Sequence, residues 1–401
     1  MPSASLSALE LENFKCFREQ RIELGMLTVL SGLNGAGKSS VIQALLLLRQ
    51  SFSEGQAQEL LQLSGNLVDL GTGKDVLFDL ADQDKLAFGL EFMDGRRTAY
   101  AFSYSRKGER LLPANGANHF EVSEGKTFEH LSGDSAAEMS GDIQENVTDR
   151  IRNSFIDAQG FQYLSAERYG PRKSLPWLDS QASVKSLGTQ GEYVLAFLAE
   201  YGNKRLDEGD PRIKDYDKTQ TIEGQVSAWL QETSPGAHLE ISEMREIDAL
   251  AARYSFSRFN DVSSVPFRAT NIGFGVSYAL PVLTALIGAR TGDFVIIENP
   301  EAHLHPRGQT KMGELAVCAA AAGVQVVMET HSDHFLDGVR LSVRRGKAAS
   351  ELVRIHYFTR DGAESQVVSP KLHSDGSLSE WPAGFFDERD ENLLSLLSPV
   401  D

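Results

Sequence analysis

The chain has 401 residues, of which 39 are Lys or Arg and 56 are Asp or Glu, giving a formal net charge of −17 at pH 7. This charge disfavours a protein whose whole surface is basic and binds nucleic acid. Two cysteines, Cys16 and Cys318, argue against a disulfide framework or a cysteine-based zinc site. The longest apolar run, at 316–322, is too short to cross a membrane, and no secretory leader pattern opens the sequence. We therefore expect a cytoplasmic protein with no membrane partner.

The first 105 residues predict strands around one helix. LSALELENFKCF and MLTVL, separated by the turn region REQRIELG, predict a β-hairpin, and a Leu-rich helix is predicted over Ser40–Phe52. The alternating segments Lys85–Glu91 and Arg97–Ser105 predict an antiparallel sheet. From about Leu112 to Thr148, small and polar residues dominate, which predicts a loop-rich insertion.

The clearest chemical motif lies between the strand MLTVL and the Leu-rich helix. Gly32–Ser39 matches G-x-x-x-x-G-K-[ST] in its required strand–loop–helix setting. The glycines let backbone N–H groups turn toward an anion, Lys38 can reach the phosphates, and Ser39 offers a hydroxyl to Mg²⁺. This segment therefore predicts a site for a nucleoside triphosphate with Mg²⁺. The residues expected to bind it are Asn34, Gly35, Ala36, Gly37, Lys38, Ser39 and Ser40.

The middle of the chain combines strands, loops and two basic clusters. GFQYLS at residues 160–165 predicts a strand, the proline-containing AERYGPRKSLPWL a loop, Glu192–Tyr201 and Ile222–Glu232 helices, and His238–Met244 a strand. Solvated faces, or contacts with phosphate or a partner, are the favoured interpretation of both basic clusters. The clusters are Arg168, Arg172 and Lys173, and Arg340, Arg344, Arg345 and Lys347.

A second glycine-bearing segment is ATNIGFGVS at residues 269–277. It predicts a turn that leads into an apolar helix, SYALPVLTALIGA, interrupted early by Pro281. Glycines and Ser277 before a helix N-terminus form another potential anion site.

The chain then alternates between apolar strands and a helix. DFVII ends at Glu298, the helix Gly308–Ala322 follows, VQVVME runs to His331, and VRIHYF closes the region. This order predicts a parallel α/β sheet, in which ligands collect at the carboxyl ends of the strands. At these ends Glu298 can hold Mg²⁺, and His331 can reach a γ-phosphate or the attacking water.

The motif order resembles the ATPase heads of the RecF, SMC and ABC class, particularly OLD-like and related AAA-type ATPases of bacterial genome maintenance and phage defence. The segments that carry the resemblance, about 1–80 and 265–340, are NFKCF, the phosphate loop, NIGFGVS, VIIENPEAHLHP and ETHSDHFL. It implies an α/β fold of the ABC-type P-loop ATPase head, with a mixed central sheet, an antiparallel β lobe and an inserted helical and loop-rich region.

The resemblance also implies roles for individual residues. Glu298 becomes the Mg²⁺ acid and His331 the switch histidine, while Gly273, Gly275 and Ser277 form a signature-like turn that reaches the ATP of a second protomer. The acid that usually follows Glu298 is replaced by Asn299, which cannot accept a proton. Either Glu301 takes that role, which we favour, or hydrolysis is slow and ATP acts as a dimer clamp.

The resemblance at both ends of the chain, together with the changes in composition between and after them, predicts four parts. Residues 1–110 form an N-terminal ATPase lobe, 111–245 an insertion, 246–360 a C-terminal ATPase lobe, and 361–401 an acidic tail. Because the tail contains Trp381, Phe385 and Phe386, we expect it to fold back on the core rather than expose them to a partner. A zinc site at His303, His305, His331 and His334 is disfavoured, and loop-capping or core roles are expected for the first two.

The resemblance implies an ATPase that dimerises on Mg-ATP and drives a separate effector protein such as a nuclease, in phage defence or DNA repair. Two alternatives remain open. One is a scaffold that binds ATP with little or no hydrolysis, and the other is an ATPase that binds DNA directly through the face around Arg340–Lys347.

Overall fold

A computed structural model describes residues 5–52, 61–105, 110–121, 160–177, 186–256, 264–386, 392 and 395–397. Contacts within the chain divide it into two compact units. Unit 1 contains Met1–Gly25, Ser31–Gln159 and His356–Ser369. Unit 2 contains Met26–Leu30, Gly160–Ile355 and Pro370–Asp401.

Unit 1 is built on an antiparallel sheet of five strands in the order β2-β1-β4-β5-β6. β1 and β4 are buried along most of their length, and Leu86–Leu90 of β4 are consecutive buried residues. The strands are β1 (Leu6–Phe14), β2 (Phe17–Glu23), β4 (Lys85–Phe92), β5 (Arg97–Ser105) and β6 (Arg110–Glu121). The predicted antiparallel sheet is thus confirmed.

Two sequence predictions in unit 1 were wrong. The supposed turn region REQRIELG contains β2, the edge strand that pairs with β1. Its polar, mostly exposed side chains disguise it, and charged residues are common on edge strands because they oppose aggregation. The loop-rich segment also begins later than predicted, since β6 occupies residues 110–121. The remainder of that prediction, 122–148, lies outside the described residues.

The phosphate loop of unit 1 is followed by α1 (Lys38–Phe52), which confirms the predicted Leu-rich helix. Its buried side chains include Val41, Ile42 and Leu45–Leu48, so most of the helix surface is packed. A short helix, α2 (Gly73–Val76), and the antiparallel residues 357–361 and 364–368 complete the unit. These last residues belong to β14 (Val353–Asp361) and β15 (Glu364–Val368).

Unit 2 contains the predicted parallel sheet. Residues 27–30 of β3 (Leu27–Gly32), β13 (Gln325–Glu329), β12 (Phe294–Glu298) and β7 (Phe161–Leu164) are neighbours in that order. Their side chains are almost all buried on both faces, which explains the continuous apolar runs. The pairing aligns the carboxyl ends: Leu30 lies opposite Glu329, which lies opposite Glu298.

In the part of unit 2 that the structure describes, a small antiparallel sheet and five α-helices of eight or more residues accompany these strands. In the small sheet, β10 pairs with β8, β9 and β11. Its strands are β8 (Leu175–Pro176), β9 (Ala237–Met244), β10 (Ala249–Phe256) and β11 (Phe267–Arg268). The helices are α3 (Val194–Tyr201), α4 (Ile222–Thr233), α5 (Phe274–Gly288), α6 (Pro306–Ala321) and α7 (Asp333–Arg344). Parallel and antiparallel strands with packed helices confirm the α/β fold class.

Helices α6 and α7 approach each other closely because two glycines face the partner backbone. A Cβ atom on Gly313 would overlap the carbonyl oxygen of Phe335, and one on Gly338 would overlap that of Thr310. The hydroxyl of Ser332, the N-cap residue of α7, also donates to Oε1 of Gln309 on α6 at 2.5 Å. This packing fixes the start of α7, two residues after His331.

The described part of the acidic tail folds back against α7, as predicted, although Trp381 remains 45% exposed. Arg340 donates from Nε to the carbonyl oxygen of Gly376 at 2.9 Å, and its guanidinium lies 5.2 Å from the ring centre of Trp381. Phe385 is fully buried and contacts the rings of Trp381 and Phe386. Within the described ranges, no helix has the length and apolar composition required to cross a bilayer.

Candidate nucleotide-binding site

The phosphate loop, Gly32–Ser39, depends on three glycines with positive φ angles. The φ angles of Gly32, Gly35 and Gly37 are 138°, 72° and 105°. A Cβ atom on Gly32 would overlap the backbone of Phe358, whose carbonyl oxygen also accepts the N–H of Leu33 at 3.2 Å. Only glycine fits this close approach, so the path of the loop is set by its composition.

Lys38 places a buried cation inside the loop. Its side chain is almost fully buried, and Nζ donates to the carbonyl oxygens of Gly32 at 3.0 Å and Leu33 at 2.8 Å. The space around Gly35 is open, since no atom lies within 4 Å of a Cβ atom built there. An ammonium beside an open, glycine-lined loop at the start of a helix suits a phosphate group.

The other predicted contacts differ in exposure. Asn34 and Ser39 are exposed, so the Ser39 hydroxyl is accessible to a hard cation such as Mg²⁺. Ala36 is buried, and only its backbone can serve a ligand. The hydroxyl of Ser40 accepts a weak hydrogen bond from Sγ of Cys16 at 3.6 Å.

Sequence reasoning missed Arg360, which lies at the end of β14. Its Nη1 donates to the carbonyl oxygen of Gly35 at 3.3 Å, and its Nε donates to that of Gly362 at 3.0 Å. Arg360 thus adds a second positive charge beside the phosphate loop. Its only sequence signal is a basic residue at a strand end, which is common on exposed surfaces.

Glu298 lies at the carboxyl end of β12 in unit 2. Its carboxylate accepts a hydrogen bond from the hydroxyl of Tyr163 at 2.9 Å and from the N–H of Ala166 at 3.2 Å. Burial and the nearby Glu298 carboxylate raise the pKa of the Tyr163 hydroxyl, so this group remains a donor. Each carboxylate oxygen has a second lone pair, so the donor set still fits Mg²⁺.

Asn299 occupies a strained position after Glu298. Its φ angle of 45° lies in the left-handed region, and its N–H donates to the carbonyl oxygen of Glu329 at 2.8 Å. Its side-chain Oδ1 is buried and has no hydrogen-bond partner among the described residues. The structure therefore places an uncharged amide where the ATPase-head pattern has an acid.

Glu301 is the buried acid of the acidic turn, which we define as residues 298–301. Its Oε1 accepts the backbone N–H of His331 at 2.9 Å, and its Oε2 is buried without a hydrogen-bond partner in the described part of the chain. Burial raises its pKa, partly offset by hydrogen bonds from the backbone and from the Thr330 hydroxyl and by the charge of Arg168. A carboxylate with a raised pKa is suited to accept a proton.

The structure places the backbone of His331 beside Glu301. The imidazole is 40% exposed, and its Nε2 lies 3.8 Å from Oε1 of the buried Glu329. The backbone of His331 fixes Glu301, while its ring remains accessible. Glu298, Glu301 and His331 therefore belong to one region of unit 2.

Arg168 was assigned to an exposed basic cluster, and that interpretation was wrong. Its side chain is buried in the loop after β7. It donates hydrogen bonds to the carbonyl oxygens of Glu298 and Asn299, each at 2.6 Å. Burial lowers its pKa to about 10, so it remains charged at neutral pH. Nothing in the local sequence distinguishes Arg168 from the exposed Arg172.

The signature-like segment also differs from its prediction. Helix α5 begins at Phe274 and continues through Pro281, so Gly275 and Ser277 lie in its first turn rather than before it. A Cβ atom on Gly275 would lie 2.6 Å from the carbonyl oxygen of His303. The hydroxyl of Ser277 is buried rather than exposed. Roles for Gly275 and Ser277 in nucleotide binding remain predictions.

Two of the other sequence candidates have roles within unit 2. His305 is the N-cap residue of α6, where Nδ1 accepts the N–H of Arg307 at 3.4 Å, and this confirms its predicted loop-capping role. Lys347, from the second basic cluster, donates to Glu314 at 2.6 Å. Among the residues that the structure describes, no group of three or more His, Cys, Asp or Glu side chains could hold a metal ion.

Comparison with known proteins assigns the family. The family model "AAA domain, putative AbiEii toxin, Type IV TA system" matches residues 27–337. The chain belongs to this AAA family. The matched range includes the phosphate loop, the acidic turn and His331, and the predicted resemblance to AAA-type ATPases is confirmed. A second model, "Protein of unknown function (DUF3696)", matches residues 349–396 of this AAA-family chain. No curated protein matches the chain.

Heads of SMC proteins are among the solved structures similar to this AAA-family chain. The SmcHead bound to the C-winged helix domain of ScpA is 15% identical with a TM-score of 0.46, over 92% of this chain and 98% of that chain. The SMC head domain from Thermotoga maritima is 13% identical with a TM-score of 0.46, over 91% and 98%. The Pyrococcus furiosus Smc head with an extended coiled coil, bound to the C-terminal domain of ScpA, is 13% identical with a TM-score of 0.45, over 98% and 99%.

Proposed function

We propose that the protein is an ATPase that binds ATP with Mg²⁺ and uses its hydrolysis to change its state of assembly. The observation that carries the nucleotide-binding part is the buried ammonium of Lys38 in a loop of positive-φ glycines. Backbone N–H groups, a cation and a helix N-terminus together favour a polyphosphate. Membership of an AAA family supports ATP as the nucleotide.

Glu301 is the proposed base for hydrolysis. Its carboxylate is the group that would accept a proton from the attacking water, a role that the amide of Asn299 cannot fill. Because burial raises the pKa of Glu301, the carboxylate is a stronger base than an exposed glutamate. His331 is the proposed group that senses the γ-phosphate.

Ser39 and Glu298 are the proposed ligands of Mg²⁺. Hydroxyl and carboxylate oxygens are the donors that this hard cation prefers. When bound, Mg²⁺ would neutralise negative charge on the phosphates as the bond to the γ-phosphate breaks. Tyr163 and the N–H of Ala166 orient the carboxylate of Glu298 for this task.

Steady-state ATP turnover tests the hydrolytic part. We expect Glu301→Gln to lower kcat about 100-fold while ATP still binds, since general-base catalysis contributes at least about that factor. Asn299→Glu, which restores the usual acid, is the matched comparison and should retain or raise turnover. Normal hydrolysis by Glu301→Gln would refute the assignment of the base.

The proposed change of assembly is an ATP-driven dimer. The phosphate loop of one protomer would face the start of α5 of the other, where Gly273 and Phe274 are exposed. Contacts made only in the closed dimer would shift the population toward it when ATP binds. Size-exclusion chromatography of Glu301→Gln, which should bind ATP without hydrolysing it, with and without Mg-ATP tests this, and the same elution volume in both conditions would contradict it.

A separate effector protein, such as a nuclease acting in phage defence or DNA repair, is the proposed target of the switch. The toxin named in the family description is compatible with such a role. Purification of the wild type and of Glu301→Gln from the native host, each with ATP, tests for a partner retained in the ATP-bound state. Retention by neither protein would count against an effector.

A second candidate function, an ATP-dependent scaffold with little hydrolysis, is favoured by Asn299. The uncharged amide in the left-handed turn would slow turnover and prolong the ATP-bound state. The same kinetic assay separates the two functions. Stoichiometric ATP binding without measurable turnover in the wild type would establish the scaffold.

A further inference from the structure

The loop that follows β7 holds the acidic turn through one buried arginine. Nη1 of Arg168 donates to the carbonyl oxygens of Glu298 at 2.6 Å and Ser165 at 2.9 Å, and Nη2 donates to that of Asn299 at 2.6 Å. The planar guanidinium thus spans two successive carbonyl groups of the turn. A lysine ammonium, which is a single point donor, cannot reproduce this fork.

Tyr163 holds the same turn through the side chain of Glu298. Its hydroxyl donates to Oε1 of Glu298 at 2.9 Å, and it lies on β7, five residues before Arg168. Backbone and carboxylate of Glu298 are therefore both fixed by one short stretch of chain. We call Tyr163 and Arg168 the β7 clamp.

Burying Arg168 of the β7 clamp carries a desolvation cost that reduces its contribution to the stability of the turn. Arg168 is 4% exposed, and its Nε is buried without a hydrogen-bond partner in the described residues. A buried charge with an unsatisfied donor generally stabilises a fold less than apolar packing does. A role in fixing the geometry of the acids explains its presence better than stability alone.

The clamp also contacts the start of α5. The guanidinium of Arg168 lies 5.7 Å from the ring centre of Tyr278, and that ring lies 4.5 Å from the ring of His303. Asn299 has a left-handed φ angle of 45° and His303 one of 63°, so the segment between them is strained at both ends. Such a segment needs external contacts to keep one conformation.

We infer that Arg168 and Tyr163 are positioning residues for ATP hydrolysis, which hold Glu298 and the adjoining turn in the orientation that the reaction requires. This inference rests on the proposed ATPase function. Neither residue is assigned a contact with the nucleotide. Loss of the β7 clamp should therefore lower kcat and leave ATP affinity nearly unchanged.

The test compares ATP turnover and direct ATP binding for Arg168→Lys, Arg168→Met and Tyr163→Phe. We expect kcat to fall about 10-fold for Arg168→Lys, about 100-fold for Arg168→Met and about 5-fold for Tyr163→Phe, as expected for misplaced reacting groups. The dissociation constant of ATP measured without Mg²⁺ should change less than about 2-fold, because no clamp residue binds phosphate. Arg172→Lys, an exposed arginine in the same loop, is the matched control and should behave as the wild type.

Hydrogen exchange provides a readout that is independent of activity. Amides in residues 294–304 should exchange about 10-fold faster in Arg168→Lys than in the wild type or Arg172→Lys, because the turn opens more often. Unchanged exchange there would overturn the inference even if the wild type hydrolyses no ATP. Absence of wild-type turnover would instead refute the proposed function.

Two further outcomes would overturn the inference that the β7 clamp positions Glu298 for hydrolysis. One is unchanged kcat in Arg168→Lys and Tyr163→Phe. The other is an equal loss of ATP affinity and kcat in folded protein, which would indicate a general structural role. If either Arg168 variant fails to fold, Tyr163→Phe decides alone, since it removes one hydroxyl and leaves the buried ring in place.

Discussion

The phosphate loop and the acidic turn are built by opposite means. In the phosphate loop, backbone geometry defines the motif within eight consecutive residues, Gly32–Ser39, although Phe358 and Arg360 contact it from a distant part of the sequence. The acidic turn is held by the side chains of Tyr163 and Arg168 and by the backbone N–H of His331, all from distant parts of the sequence. The phosphate-binding motif can therefore be recognised in the sequence, whereas the contacts that hold the acidic turn depend on the tertiary fold.

The largest expected effect is on ATP binding, which we assign to the phosphate loop, whereas hydrolysis is assigned to the acidic turn. Lys38→Ala should weaken ATP binding about 100-fold, because it removes a buried charge proposed to contact phosphate. Isothermal titration calorimetry with a non-hydrolysable ATP analogue measures this effect. Lys74→Ala, an exposed lysine of α2 in unit 1, is the control and should bind normally. Full ATP affinity in folded Lys38→Ala would contradict the assigned loop function.

The next effect is the pH dependence of ATP turnover, which we expect the acidic turn to set through Glu301. Glu301 must be ionised to act as a base, and burial raises its pKa above the ordinary value of 4.5. Turnover should therefore be full at higher pH and fall as the pH drops through this raised pKa. A pH–kcat profile measures the acidic limb, which Glu301→Gln should lack. An acidic limb at or below pH 4.5 would contradict this role for Glu301.

The third effect concerns the backbone of the phosphate loop. A Cβ atom on Gly37 would lie 2.8 Å from Sγ of Cys16 and 2.9 Å from both Phe17 and Ser365, whereas one on Gly35 meets no atom within 4 Å. Both glycines have positive φ, so alanine is strained at either position. Denaturant unfolding should show a loss of about 2–3 kcal/mol for Gly37→Ala and about 1 kcal/mol for Gly35→Ala. Equal losses would show that the crowding around Gly37 relaxes without cost.

The smallest effect concerns the close contact between Gly275 and the backbone of His303 in unit 2. Gly275→Ala should lower the free energy of unfolding by about 1–2 kcal/mol, because its Cβ atom meets the carbonyl oxygen of His303 at 2.6 Å. Gly273→Ala, in open space two residues earlier, should cost about 0.5 kcal/mol through a weaker N-cap. Thermal unfolding of both variants measures the difference. A Gly275→Ala variant as stable as the wild type would mean that α5 shifts freely from His303.

Much of the fold was readable from the sequence because its strands and helices have strong periodic patterns. Arg97–Ser105 was predicted with its observed bounds, and the parallel sheet followed from apolar runs that end at Leu30, Glu298 and Glu329. β2 was missed because an edge strand buries only Phe17 and Ile22. The start of α5 was misplaced because glycines were interpreted as a turn, although the helix includes Gly275.

Among the candidate site residues, those in local sequence motifs could be predicted, whereas those placed by tertiary packing could not. Lys38, Glu298 and His331 follow strands in recognisable motifs, so their positions were predictable. Arg168 was misassigned because burial is decided by the packing around it, not by its neighbours in sequence. Tyr163 was predicted only as a strand residue, since its hydrogen bond to Glu298 joins residues far apart in the chain.

The close approach of Gly32 to Phe358 has a consequence for synthesis of the protein. The backbone that supports the phosphate loop at Phe358 is translated more than 300 residues after Gly32. A nascent chain that ends before β14 has the complete phosphate-binding motif without this support. We therefore expect ATP to be bound only after β14 has been synthesised, so that a nascent chain carrying only the motif binds no nucleotide.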